Sequence, residues 1–73
     1  MKFTVLIIRG NESGYVANVP ALPGCVSQGR TRRMAMKNIK EAVAAYVEAL
    51  IEDGIPVPVE VAKDQIELEV TAN

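Results

Sequence analysis

A chain of 73 residues forms one small domain, and a domain of this size buries only about 60% of the surface of its unfolded chain. The sequence has one cysteine and no histidine, which excludes an internal disulfide, a histidine-based catalytic centre and a Cys/His structural metal site. The net charge is −1, while the hydrophobic share of 49% and the mean hydropathy of +0.15 are high for a soluble domain. We therefore expect stabilisation by self-association, as a homodimer or higher homo-oligomer.

The small net charge hides an asymmetry along the chain. Residues 1–40 contain seven of the eight basic residues and one acid, whereas residues 41–73 contain eight of the nine acids and one base. Two interpretations are open at this stage: the folded halves neutralise each other, or the surface is bipolar and docks a subunit or partner.

Three strands are predicted in the first part of the chain. Lys2–Arg9 is rich in β-branched residues and apolar on both faces, so it should lie centrally in a sheet or have its second face covered. A turn over residues 10–14 then leads to an antiparallel strand at Tyr15–Val19. The third strand is predicted at Cys25–Gln28.

The segment Pro20–Gly24, between the second and third strands, is predicted to form a stiff corner. Each proline fixes its own φ and pushes the preceding residue into an extended conformation. Gly24 can adopt a positive φ at no steric cost. The corner has no acid and no lysine, so we expect it to determine shape rather than to perform chemistry.

A long helix is predicted next, with Thr31 as its N-cap. It should run to Asp53, with Gly54 at the C′ position and Pro56 preventing continuation. Its apolar residues recur with the i, i+3, i+4, i+7 spacing of a helix with one buried face. These residues are Ala35, Ile39, Ala42, Val43, Tyr46, Val47 and Leu50.

The charges of this helix oppose its dipole, because bases lie at its start and Glu52 and Asp53 at its end. Either a partner compensates this reversal or the fold tolerates it. The basic start can also contact phosphates, so nucleic-acid binding is an alternative to a solvated face or an acidic partner. With only three aromatic residues, however, a stacking platform for single strands is missing. The bases concerned are Arg30, Arg32, Arg33, Lys37 and Lys40.

An extended, proline-containing connector over residues 55–59 precedes a last strand at Gln65–Val70. In that strand the apolar residues are expected to point inward and the two acids outward. The order βββαβ predicts an α+β two-layer domain with one helix across a sheet. The residues expected to point inward are Ile66, Leu68 and Val70, and those expected to point outward are Glu67 and Glu69.

The sequence offers little for catalysis. Cys25 is the one classical nucleophile, and within a predicted strand it is best interpreted as a small buried hydrophobe. The first strand carries no carboxylate that could help to bind Mg²⁺. We therefore expect no enzyme activity, no metal and no cofactor.

The stretch from Gly14 to Thr31, GYVANVPALPGCVSQGRT, resembles the signature of HicB-like antitoxins. The similarity extends from about Phe3 through Pro58. It implies a truncated RNase H-like fold, with a three-stranded antiparallel meander, a crossover helix and a fourth strand parallel to the first. The motif residues are Gly14, Tyr15, Pro20, Leu22, Pro23, Gly24, Cys25, Gly29 and Thr31.

The resemblance also implies a function: a non-enzymatic module that neutralises a HicA-like toxin, a small basic mRNA-cleaving protein, by covering its active site. Members of this family commonly add a C-terminal DNA-binding segment. We expect residues 1–73 to form a single domain without such a segment, so direct DNA binding is not expected, and an orphan regulator is the alternative. No signal peptide or membrane segment is visible, which favours the cytoplasm.

An antitoxin that blocks an RNA-binding surface does best with a negative surface of its own. The acidic half of the chain is therefore predicted to face the toxin. The residues predicted to do so are Glu48, Glu52, Asp53, Glu67 and Glu69.

Overall fold

The computed structural model describes residues 2–10, 12–58 and 67–69, the last three for their backbone only. The strands form a three-stranded and a two-stranded antiparallel sheet, and one long helix packs on the three-stranded sheet, which confirms the α+β two-layer prediction. The elements in chain order are β1 (Lys2–Thr4), β2 (Leu6–Arg9), β3 (Tyr15–Asn18), β4 (Val26–Gly29), α1 (Arg32–Glu52) and β5 (Glu67–Glu69).

Strands β2, β3 and β4 form the predicted antiparallel meander, in that order across the sheet. Ala17 lies at its centre, opposite Ile7 on one side and Ser27 on the other. The third strand begins one residue later than predicted, because the Cys25 N–H donates to the Leu22 carbonyl (3.0 Å) inside the corner instead of joining the ladder.

The predicted single strand Lys2–Arg9 is two strands, interrupted at Val5. The chain changes partners there, since β1 pairs with β5 and β2 pairs with β3. The second half of this segment is not central in the sheet, and within one copy of the chain only one of its faces is covered. Leu6 is 38% exposed and Ile8 is 63% exposed, because β2 is an edge strand and α1 packs on its other face only.

The last strand runs antiparallel to β1, with Phe3 opposite Leu68. The parallel pairing implied by the family resemblance is therefore wrong for this chain. Fourteen residues separate Glu52 from Glu67, and a connection of that length lets the chain return to β1 in either direction. The rest of the predicted strand Gln65–Val70 lies outside the described residues, as do the side-chain directions predicted for Ile66, Leu68, Val70, Glu67 and Glu69.

The core lies between α1 and the sheet. Ala35, Ile39, Val43 and Val47 on the helix are each 0% exposed, and the other predicted stripe residues are half-buried against them. Each large side chain that is buried in this way contributes about 1.5–3 kcal/mol relative to an exposed one. The buried residues that face the helix from the strands and the corner are Phe3, Val5, Ala17, Val19, Leu22 and Cys25.

The corner is as stiff as its sequence predicts. Gly24 has φ 81, in the region that favours glycine. The Leu22 N–H donates to the Val19 carbonyl (2.9 Å), and the Val19 N–H donates to the Cys25 carbonyl (3.1 Å). These bonds close the corner and direct the Leu22 side chain into the core, where it is 1% exposed.

Two side chains of α1 fix the helix to the segment before it. The Tyr46 hydroxyl donates to the Pro23 carbonyl (2.9 Å) in the corner. The Asn38 side-chain amide donates to the Gln28 carbonyl (2.8 Å), which satisfies a backbone acceptor of edge strand β4. The helix therefore holds the corner and the sheet edge in place.

Candidate protein-binding surfaces

The exposed surface at the end of α1 combines acidic and apolar side chains. Glu48, Glu52 and Asp53 are all exposed. Ile51 and Ile55, next to them in the chain, are 55% and 49% exposed. We call these five residues the C-terminal helix surface.

The helix end has a defined shape because the chain leaves it through a hydrogen-bonded C-cap. The Gly54 N–H donates to the Ile51 carbonyl (3.1 Å) and the Ile55 N–H donates to the Leu50 carbonyl (2.9 Å). With Gly54 at φ 68, this is the Schellman arrangement. Asp53 is the C-cap, one residue after the helix ends, so Asp53 and Ile55 are held in fixed positions.

The C-terminal helix surface is electrostatically negative for two reasons. It carries three carboxylates, and the last turn of α1 contains no basic residue to pair with them. The carbonyl end of the helix dipole adds further negative potential. A surface of this kind attracts a basic partner over long range and offers Ile51 and Ile55 for short-range contact.

The structure brings together only part of the predicted acidic site. Glu48, Glu52 and Asp53 lie on one helix end, as expected. Glu67 and Glu69 belong to β5, paired with β1, and their side chains lie outside the described part of the chain. Ile51 and Ile55 were not predicted to belong to the binding site, although the sequence shows that Ile51 is an apolar residue outside the buried stripe.

The basic residues lie at the opposite end of the same helix. Arg33 and Glu52 are separated by about 28 Å along the axis, at 1.5 Å per residue. The separation of positive and negative charge that the sequence shows is therefore present along α1 itself. The exposed basic residues here are Arg30, Arg32, Arg33, Lys37 and Lys40.

The motif glycine Gly29 allows the helix start to approach β4 closely. A Cβ atom on Gly29 would lie 2.5 Å from the Ala35 backbone nitrogen and 2.7 Å from the Met34 carbonyl carbon. Beside this contact is an open depression, lined in part by the motif residues Gly14 and Tyr15. Gly29 thus serves the packing of the strand against the helix.

Of the three aromatic residues, one is buried and two are half-buried. Phe3 is buried in the core at 1% exposure. Tyr15 is half-buried with the Arg9 guanidinium 5.6 Å from its ring centroid, and Tyr46 is half-buried with its hydroxyl bonded in the corner. The basic helix start has charge for phosphates, and the aromatic residue beside it is the half-buried Tyr15, which lines the same depression as Arg30.

Cys25 is a buried apolar residue, as predicted, with 4% of its surface exposed. Burial raises the pKa of its thiol above the ordinary value, so the reactive thiolate is disfavoured. Within residues 2–10, 12–58 and 67–69, no group of three or more His, Cys, Asp or Glu side chains is placed to hold a metal ion. The same part of the chain contains no helix that is long and apolar enough to cross a membrane.

Comparisons with known proteins agree with these features. The family model for the HicB-like antitoxin of bacterial toxin–antitoxin systems matches residues 3–71. The UPF0150 protein Ta0767 of Thermoplasma acidophilum is 50% identical over 58 residues, which cover 80% of this chain and 84% of that protein. Antitoxin HicB 1 of Photorhabdus laumondii is 30% identical over 70 residues, 93% of this chain but 45% of that longer protein.

Solved structures show the same fold. The N-terminal domain of the Burkholderia pseudomallei antitoxin HicB superposes with a TM-score of 0.79 and 28% identity, covering 100% of this chain and 99% of that chain. A chain of the HicA3–HicB3 toxin–antitoxin complex superposes with a TM-score of 0.70 and 26% identity, at 100% and 99% coverage. With its family model matched over nearly its whole length, this chain belongs to the HicB-like antitoxin family.

Proposed function

We propose that this chain is a non-enzymatic antitoxin module that binds a small, basic, HicA-like toxin and covers its RNA-cleaving site. Family membership supports the role, and the similar fold in a HicA3–HicB3 toxin–antitoxin complex supports the kind of partner. The observation that carries the proposal is the C-terminal helix surface, which is acidic, exposed and fixed in shape.

The charge and the apolar side chains of the C-terminal helix surface suit a basic partner. A toxin that holds RNA presents positive charge where the phosphates lie, and carboxylates on a second protein compete for that charge. Charge attraction mainly speeds association, whereas burial of apolar side chains slows dissociation. Faster association would come from the acids Glu48, Glu52 and Asp53. Slower dissociation would come from Ile51 and Ile55.

The direct test mixes this chain with a HicA-like toxin and follows cleavage of an mRNA by that toxin. We expect cleavage to stop when the two proteins are equimolar and a stable complex to appear on gel filtration. The chain alone, incubated with the same RNA and Mg²⁺, should produce no cleavage. Full toxin activity in the presence of excess chain would refute the proposal.

Nucleic-acid binding is a second candidate function, favoured by one observation. The basic side chains at the start of α1 are all exposed on the helix surface. Binding through them would be electrostatic and would weaken steeply with salt. Titration of the chain with labelled RNA at two salt concentrations distinguishes this function, because an antitoxin module alone should show no salt-dependent binding.

A further inference from the structure

The open depression beside the helix start is bordered by residues 12–14, the end of β4 and the first turn of α1. Its volume is about 540 Å³, within the range of roughly 300–1,000 Å³ that small-molecule sites occupy. The backbone around it is held in place, because the Gly10 N–H donates to the Gly14 carbonyl (2.9 Å) and Tyr15 pairs with Gly29 across the two strands. The depression is therefore preformed, and the proposed toxin surface does not use it.

Aromatic and apolar side chains line part of the depression. Tyr15 and Val16 are half-buried there, and Met34 in the first turn of α1 is 47% exposed. The Arg9 guanidinium lies over the Tyr15 ring, 5.6 Å from its centroid. An aromatic ring, a polarizable thioether and a guanidinium are groups against which a flat heterocyclic base packs well. The sequence alone does not place an aromatic residue beside the basic helix start, because the contact depends on how β3 and α1 come together.

The charges around the depression favour an anion. Arg30 lines it, and Arg32 and Arg33 follow at the start of α1, whose first turn contains no acid. The N-terminal end of the helix dipole adds positive potential at the same place, so these bases repel the helix end that carries them. A bound phosphate would offset this repulsion. Toxin binding at the other end of α1 gives the basic helix start no role, whereas an anion beside Arg30 does.

One acid distinguishes between the anions that could bind. Glu12 lines the depression together with Ser13, and both side chains are exposed. The Glu12 carboxylate would repel an inorganic phosphate or an acidic peptide that filled the depression. A nucleobase instead presents N–H groups that can donate to a carboxylate or hydroxyl oxygen. The combination of an acid, an aromatic ring and an arginine therefore suits a nucleotide better than a simple anion.

We propose that this depression binds one nucleotide, with its base against Tyr15 and Met34 and its phosphate beside Arg30. The nucleotide is either free or the phosphorylated end of an RNA strand, since both offer the same base and phosphate. The site rests on nucleic-acid binding as the second candidate function of this chain, and it is independent of toxin neutralisation. The C-terminal helix surface lies at the other end of α1, so a toxin bound there leaves the depression open.

Titration of the full chain with adenosine monophosphate, followed by the NMR shifts of its backbone amides, tests the site. We expect shifts centred on Gly14, Tyr15 and Gly29. The nucleotide should bind about tenfold or more tightly than inorganic phosphate, because only the nucleotide has a base to pack on Tyr15. A short RNA that carries a terminal phosphate distinguishes the two sources. Tighter binding of this RNA than of the mononucleotide would identify an RNA end as the ligand, and equal or weaker binding would identify a free nucleotide.

Two arginine variants test whether the depression itself holds the phosphate. Arg30→Gln should weaken nucleotide binding by about tenfold or more, because it removes the charged donor beside the phosphate. Arg33→Gln is the matched control, since Arg33 is also an exposed arginine of the helix start but does not line the depression. Salt screens its more distant charge, so this variant should change the affinity by less than about threefold. Both side chains are exposed, so both variants should fold.

Equal weakening by Arg30→Gln and Arg33→Gln would overturn the proposal, because it would mean that the charged helix start binds as a whole. The proposal would also be overturned by equal affinities for inorganic phosphate and the nucleotide, by an acidic peptide that binds more tightly than the RNA, or by the absence of shifts at millimolar nucleotide. RNA binding with shifts confined to Lys37 and Lys40 would support nucleic-acid binding as a function and exclude the depression as its site.

Discussion

Gly29 is the residue whose role is most sharply defined by the structure. An added Cβ would lie 2.5 Å from the Ala35 backbone nitrogen, and backbone atoms cannot move aside without shifting the helix. We expect Gly29→Ala to lower the free energy of unfolding by about 1–3 kcal/mol through overpacking. Urea denaturation at one fixed protein concentration measures the effect, since self-association would also change stability.

The matched control is Gly10→Ala. A Cβ on Gly10 would meet its nearest atoms at 3.7 Å, an ordinary contact distance. This variant should stay within about 0.5 kcal/mol of the parent. Equal stabilities for Gly29→Ala and Gly10→Ala would show that α1 does not pack this closely on β4.

A substitution at Gly24 tests the backbone conformation of the corner rather than its packing. A Cβ on Gly24 would meet nothing within 4 Å, so its φ of 81 is the only obstacle to a side chain. We expect Gly24→Val to cost about 1–3 kcal/mol, because a β-branched residue is strained at positive φ. Gly24→Asn should cost less, since Asn tolerates this region, and equal melting temperatures for the two variants would contradict the strain argument.

The sequence could predict one of these two glycine roles and not the other. The positive φ of Gly24 follows from its neighbours, because two prolines and a turn leave few conformations open. The contact of Gly29 with Ala35 depends on how a strand and a helix come together, which local sequence does not specify. The same limit applies to the Tyr46 hydroxyl, whose acceptor is 23 residues away in the chain.

At the scale of elements, the helix start depends on a single side-chain cap. The Thr31 hydroxyl oxygen accepts the Met34 N–H at 3.0 Å, and the first turn contains no acid that could help it. We expect Thr31→Ala to destabilise the protein by about 1 kcal/mol and Thr31→Ser to leave stability nearly unchanged. Thermal melts of both variants measure this, and an unaffected Thr31→Ala would mean that the cap adds no stability.

The helix could be predicted closely from sequence because its signals are local: a cap, an apolar stripe, and a glycine followed by proline. The strands could not be predicted in the same way. The break at Val5 and the antiparallel direction of β5 both depend on which strand pairs with which. Strand pairing is decided by contacts that are distant in sequence, so alternation alone predicted one strand where there are two.

At the scale of the whole molecule, the two layers present different surfaces. The helix layer carries charge, with bases at the start of α1 and acids at its end, while the sheet exposes the apolar side chains of Leu6, Ile8 and Val26. Charge can be read from the sequence, so the cluster of acids Glu48, Glu52 and Asp53 at the helix end could be predicted. The exposure of Ile51, Ile55 and Ile8 could not be predicted from the sequence, because an isoleucine in a sequence predicts burial more often than contact with a partner.

We predict that a basic toxin binds at the acidic end of α1. Two variants with the same number of reversed charges test it: one replaces Glu48, Glu52 and Asp53 by Lys, and the other replaces Arg30, Arg32 and Arg33 by Glu. The measurement is the association rate with a HicA-like toxin, by stopped flow at low and high salt. All six side chains are exposed, so both variants should fold.

We expect the acidic-end variant to associate about tenfold or more slowly at low salt, and to lose most of its dependence on salt. The arginine variant should associate at nearly the parental rate. The opposite pattern, with the arginine reversals abolishing binding and the acidic reversals leaving it intact, would contradict the claim and assign the toxin to the basic start of the helix.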